Sequence, residues 1–202
     1  GYPVKMDFTS IFPPQGGNLR LLPPEIGVKK AFQEWIGIAP FAAHKQKVYP
    51  PEMLEKVITM ITKEHPSCRV FLFGKGPDED PVINGMVSRN AQCVNASAVL
   101  SGIAQELVLM SHLDVMVSMD SANMHFASLV NTPVVSIWGA THPYAGFMGW
   151  GQKPLNAIQI ELGCRPCSIF GNKPCLRGDL ACLRNISPEM VYEKVKRVLN
   201  KQ

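Results

Sequence analysis

From Trp35 to the C-terminus, short apolar runs alternate with amphipathic segments of helical length, and this alternation points to a parallel α/β sheet more firmly than any other feature of the chain. The predicted strands are Trp35 to Ala39, Arg69 to Phe73, Gln92 to Val94, Val115 to Ser118, Val134 to Trp138 and Ala157 to Ile160. Most are short and apolar on both faces, as a sheet covered by helices on both sides requires. The predicted helices are Pro51 to Glu64, roughly Asp78 to Arg89, Ile103 to Ser111, Ala122 to Val130 and Pro188 to Asn200. Met53, Leu54, Val57, Ile58 and Ile61 form an i, i+3, i+4 stripe on the first of these, bounded by Pro50-Pro51 and His65-Pro66. The last opens on Ser187-Pro188-Glu189, an N-cap followed by proline at the first helical position.

With 202 residues, 46% of them hydrophobic and 18% charged, the chain can bury a core of its own and is too apolar for disorder. No run approaches the roughly 18 apolar residues of a spanning helix, and Gly1 to Ser10 lacks the apolar stretch of a signal peptide. A soluble, non-secreted protein is expected. The 20 basic and 16 acidic residues leave a net charge of +4, a mild excess suited to an anionic ligand or membrane surface. The charge is too dispersed for a nucleic-acid binder, so no nucleic-acid partner is expected; Lys194, Lys196 and Arg197 read as a solvated helix face. Residues 1–33 carry Pro3, Pro13, Pro14, Pro23 and Pro24 without sustained periodicity, which suggests a linker or the edge of an absent N-terminal neighbour ahead of a domain at 34–202. Gly1 in place of an initiator Met is consistent with a fragment of something longer.

In open α/β sheets ligands bind beyond the carboxyl ends of the strands, where loops enter helices. The sharpest such loop is Val117-Ser118-Met119-Asp120-Ser121-Ala122-Asn123-Met124-His125. Ser121 and Ala122 are small enough to let helix-start N–H groups approach a phosphate, which the helix dipole favours. Asp120 could cap the helix or bind a sugar hydroxyl, and His125, one turn in, fits a buried structural histidine as well as a site residue. The loop 40–50 offers His44, Lys45 and Lys47, any of which could be solvated; an ammonium there could also neutralise a diphosphate. Gly74-Lys75-Gly76-Pro77-Asp78-Glu79 imitates a dinucleotide fingerprint and fails it, since Glu79 stands where the third glycine belongs. Asp78 or Glu79 could hold a ribose or simply begin a helix. His142, Tyr144, Phe147 and Trp150 make the loop after the fifth strand a candidate interface.

Cys164, Cys167, Cys175 and Cys182 open with Cys-x-x-Cys and are spaced loosely as in a structural zinc site, while Cys68 and Cys93 beside strands read as core thiols.

Ile36-Gly37-Ile38-Ala39-Pro40-Phe41-Ala42, Lys47-Val48-Tyr49-Pro50, Val117 to His125 and Pro133-Val134-Val135-Ser136-Ile137-Trp138-Gly139-Ala140-Thr141 together resemble glycosyltransferase family 9, whose best-known members are ADP-heptose:lipopolysaccharide heptosyltransferases. The resemblance implies a Rossmann-like parallel sheet forming the C-terminal, donor-binding half of a GT-B fold. It implies an inverting transfer from a nucleotide-diphospho-sugar, ADP-heptose in the family, to lipopolysaccharide core or a related glycan. Lys47 and Asp120 carry the catalytic role in this reading; Ser121, Ala122, His125, Thr141 and Glu79 bind substrate. Ala122 stands where the family commonly has glycine, which puts a Cβ at the diphosphate. No cofactor is required for catalysis, and structural zinc at the four clustered cysteines is the metal to test. The glycolipid acceptor and the general base belong to the absent N-terminal domain, and the location implied is the cytoplasm, at the inner face of a Gram-negative inner membrane. Alternatives are a nucleotide-sugar 2-epimerase half, a non-catalytic nucleotide-binding module, or a zinc-ribbon interaction protein.

Overall fold

Along β1 (Trp35–Ala39), Ile36 and Ile38 pack into one apolar layer while Trp35 and Ala39 pack into the other, the period-two alternation of a strand buried on both sides. The computed structural model describes residues 7–200, so Gly1 and Pro3 of the lead-in fall outside it. β2 (Arg69–Leu72), β3 (Cys93–Asn95), β4 (Val115–Met119), β5 (Val134–Ile137) and β6 (Ala157–Ile158) join β1 in a six-stranded sheet of order β3-β2-β1-β4-β5-β6, every pairing parallel. This is the doubly wound order, in which the chain leaves β1 toward β3 and returns to its other side at β4. The expected α/β sheet is therefore present, with strand boundaries within a residue or two of those expected.

One face is covered by α1 (Pro51–Glu64), α2 (Asp80–Arg89), the single-turn α6 (Ala181–Arg184) and α7 (Pro188–Leu199). Leu54, Val57, Ile58 and Ile61 of α1 are fully buried, which contributes about 1.5–3 kcal/mol per side chain. Ser187 Oγ accepts a hydrogen bond from Met190 N and starts α7, as its sequence foretold. The other face is covered by α3 (Ala96–Val99), α4 (Ile103–Met110) and α5 (Ala122–Leu129). The start of α2 moves from Asp78 to Asp80, because Glu79 and Asp80 spend their carboxylates on the amides of Lys75 and Gly76 in the preceding turn.

Residues 7–33 form no strand and only two single-turn 3₁₀ helices, Leu19–Leu21 and Pro24–Ile26. They lie along the amino-terminal ends of the strands: Ile11 N donates to Leu129 O (2.9 Å), Gly17 N to Ser111 Oγ (2.8 Å), and Lys29 Nζ pairs with Asp114 (2.7 Å). Ile26 is fully buried among Trp35, Phe71 and their neighbours. Among the described residues no helix is long and apolar enough to cross a membrane.

Candidate functional site

The two strands whose connections diverge, β1 and β4, are hydrogen-bonded neighbours, so the loops leaving their carboxyl ends open a crevice between them. A cleft of about 450 Å³ occupies that crevice. Its floor and walls include His44, Lys47, Glu79, Asp120, Ser121, Ala122, Asn123 and His125, with Phe41, Phe73, Phe147, Ile169 and Phe170.

Lys47 ends a 3₁₀ turn, Lys45–Lys47, that the β1 loop makes before α1. Three contacts fix that loop: Tyr49 is fully buried with its hydroxyl donating to Ile186 O (2.8 Å), Tyr49 N donates to Met119 Sδ, and Ala140 N donates to Gln46 O (3.1 Å). The ammonium that results is held 3.4 Å from Asp120 Oδ2, with the two side chains only 13% and 7% exposed. Lys45 does not line the cleft; with Asp78 it lines an adjoining surface depression that shares Phe41 and Glu79 with it.

Asp120 does not cap α5. The residue before the helix is Ser121, extended (φ −149°, ψ 173°), and its hydroxyl sits 3.2 Å from Ser118 Oγ rather than on a helix amide. Asp120 Oδ2 instead accepts from Thr141 Oγ1 (2.8 Å) and faces Lys47. The first turn of α5, with no side-chain cap, borders the cleft at Ala122 and Asn123, where N–H groups and the helix dipole favour an anion. A cation and a helix N-terminus thus meet at one wall, an arrangement suited to a diphosphate.

The other residues divide. Glu79 lines the cleft, with Oε2 accepting from Lys75 N (3.0 Å), and Asp78 does not. His125, one turn into α5, is exposed on the cleft wall and is not a buried structural histidine. Thr141 is fully buried behind Asp120, outside the lining, with its hydroxyl donating to the carboxylate. In the loop after β5, Tyr144 and Trp150 are exposed as expected, whereas His142 and Phe147 are half-buried, Phe147 against Phe170 at 5.7 Å between ring centroids.

The four thiols put forward as possible zinc ligands are free, and among the described residues no group of three or more His, Cys, Asp or Glu is placed to hold a metal ion. Cys167 Sγ donates to Cys164 O (3.2 Å), and Cys182 is buried in the core under α1 and α7. Cys175 is directed at the backbone N–H groups of Leu180, Arg177 and Gly178, which hold its thiol below the ordinary range.

Sequence reasoning passed over the segment between the cysteines. Ile169 and Phe170 reach the cleft, and Gly171 packs against Lys47. Arg165 ties this segment down by donating to the carbonyls of Gly139, Ile160 and Thr141 and to Gln159 Oε1. An apolar Ile-Phe pair inside a stretch rich in Gly, Pro and Cys was the available signal.

Residues 24–173 match the family model for glycosyltransferase family 9 (heptosyltransferase). A lipooligosaccharide heptosyltransferase 2 of Campylobacter jejuni is 22% identical over 170 residues, 81% of this chain and 51% of that protein. The structure of E. coli ADP-heptose lipopolysaccharide heptosyltransferase II superposes with a TM-score of 0.65 at 19% identity, covering 88% of this chain and 50% of that one. E. coli heptosyltransferase WaaC with ADP gives 0.59 at 16% identity, covering 84% and 46%. At these identities the structural likeness is one of fold, and the chain spans about half the length of the relatives it matches.

Proposed function

Because the chain belongs to glycosyltransferase family 9, we propose that the β1/β4 cleft is the donor site of a sugar transferase, binding a nucleotide-diphospho-sugar with ADP-heptose as the expected donor. The observation that carries this reading is the placement of the Lys47 ammonium 3.4 Å from Asp120, beside the uncapped start of α5. A diphosphate entering the cleft exchanges with Asp120 for Lys47 and takes the amides at Ala122 and Asn123. Both features already border the cleft before the ligand arrives, so once it is bound they stabilise the charge that develops on the departing diphosphate.

The reaction is an inverting single displacement: an acceptor hydroxyl attacks the anomeric carbon, its proton passes to a base, and the bond to the nucleoside diphosphate breaks. Within this chain, Lys47 and the α5 amides hold the leaving group. Asp120, released from Lys47, is oriented by Thr141 toward a hydroxyl of the donor sugar; Ser121, His125 and Glu79 border the same ligand. Ala122 is exposed on the cleft wall, so its Cβ limits how closely the phosphate approaches that amide. The base and the acceptor site, for a lipopolysaccharide-core or related glycan carried on a lipid at a cytoplasmic membrane face, belong to the half of the enzyme outside this sequence.

The test is calorimetric titration of ADP, UDP and GDP into the 202-residue chain and its Lys47→Ala variant. ADP should bind weakly, for want of the second wall of the cleft, and Lys47→Ala should lose about 1–3 kcal/mol of that affinity, the scale of a charge-assisted hydrogen bond. Unaltered affinity in a folded variant would refute the assignment of Lys47.

A further inference from the structure

A Cβ built on Gly171 would lie 2.7 Å from Lys47 Cγ, 2.9 Å from Lys47 Cδ and 3.2 Å from Thr141 Cγ2. Gly171 is buried and stands at φ +72°, in the left-handed region. Its backbone therefore lies directly against the stem of Lys47 and the methyl of Thr141, the two residues that meet at Asp120 Oδ2. Contact at that depth is open only to glycine, because the atoms met are the middle of the lysine stem and not its mobile end. The segment is held in place independently of the cleft: Cys167 N donates to Ala140 O (2.9 Å) and Arg165 binds the carbonyls of Gly139 and Thr141. Ile169 and Phe170, immediately before Gly171, line the cleft themselves.

We propose that Gly171 is a positioning residue for the donor site, a backstop through which the cysteine-bearing segment sets where the Lys47 ammonium points. This rests on the reading of Lys47 as a diphosphate ligand. Adding a methyl at Gly171 pushes the Lys47 stem away from the segment and carries the ammonium off the position it shares with Asp120. A charge-assisted contact depends steeply on geometry, so Gly171→Ala should weaken ADP binding about tenfold.

Strain at a positive φ would accompany that substitution whatever the neighbours, and Gly178 supplies the control. It lies in the same segment at φ +77°, with nothing within 4 Å of a built Cβ. The experiment is ADP titration of the wild type, Gly171→Ala, Gly178→Ala, Lys47→Ala and the Gly171→Ala/Lys47→Ala double variant. Gly171→Ala should weaken binding, Gly178→Ala should leave it unchanged, and Gly171→Ala should cost nothing further once Lys47 is gone, which is the signature of one residue acting through another. Equal effects of Gly171→Ala and Gly178→Ala, or additive losses in the double variant, would overturn the proposal while leaving Lys47 in its role. No effect of Lys47→Ala would remove both. Should Gly171→Ala not fold, the ¹⁵N spectrum of the wild type decides: the Gly171 amide must shift on ADP saturation and must not shift in Lys47→Ala, and a Gly171 resonance unmoved in the wild type refutes the backstop.

Discussion

Lys47 Nζ lies 3.4 Å from Asp120 Oδ2 across 73 residues of sequence, one side chain from the loop after β1 and the other from the end of β4. Only the doubly wound strand order makes those two loops neighbours. The pair is sheltered and opens onto the cleft, and in the proposed reading the diphosphate competes for its ammonium.

Asp120→Asn keeps an oxygen for Thr141 and removes the charge that holds Lys47. The fold should survive, ADP should bind at least as tightly as before, and sugar transfer by a protein containing both halves should fall by an order of magnitude or more, the effect of losing a hydrogen bond from a charged group. Steady-state kinetics beside ADP titration separates these; equal loss of both would place Asp120 in folding alone.

Thr141→Val removes a buried hydroxyl that never reaches the cleft. Urea unfolding should show a loss of about 1.5–3 kcal/mol, as expected for a hydrogen bond to a charged group. ADP affinity should change less than in Lys47→Ala. A larger loss of binding than of stability would mean that Thr141 touches the ligand.

Burial pushes the Cys68 thiol up to about 11 and that of Cys93 to about 12 from an ordinary 9.0. Between pH 9 and pH 11 the unfolded chain therefore binds fewer protons at these positions than the folded one, so their contribution to stability is full below pH 9 and is lost as pH rises. Thermal melts should show Tm falling steeply over that interval, and Cys68→Ala/Cys93→Ala should flatten the fall. An unchanged slope in the double variant would contradict the assignment.

Cys175 differs, since backbone N–H groups of Leu180, Arg177 and Gly178 lower its thiol. In the native protein at pH 7.5 it should be alkylated before the other cysteines, with Cys68 and Cys93 protected until unfolding. Time-resolved mass spectrometry of iodoacetamide-treated protein reads the order directly.

The sheet was legible because strand and helix here obey their own periodicities. α1 runs from Pro51 to Glu64 as its apolar stripe and flanking prolines require, and β1 from Trp35 to Ala39. The N-cap of α3 was less visible: Asn95 Oδ1 accepts from Ala98 N, but a four-residue helix has too few residues to show a period. Lys47, Asp120, Ser121 and Glu79 could be placed at strand ends from sequence. The part Thr141 plays could not, since whether a hydroxyl faces a ligand or the carboxylate behind it is decided by side-chain direction at the end of β5. Spacing likewise brought the four cysteines into one segment but could not say which of them is buried or which meets backbone N–H groups. Gly171 was invisible for the same reason, as its meaning lies in the lysine stem against it.

The most direct measurement is the ¹⁵N–¹H spectrum of the 202-residue chain titrated with ADP. The donor-site account predicts that the largest shifts fall on Lys47, on Ser121 to Met124 at the start of α5, and on Ile169 to Gly171, with Asn131, Lys153 and Arg197 at the opposite end of the sheet unmoved. Shifts confined to that opposite end, or saturation with no change at Lys47 and the α5 N-terminus, would contradict it.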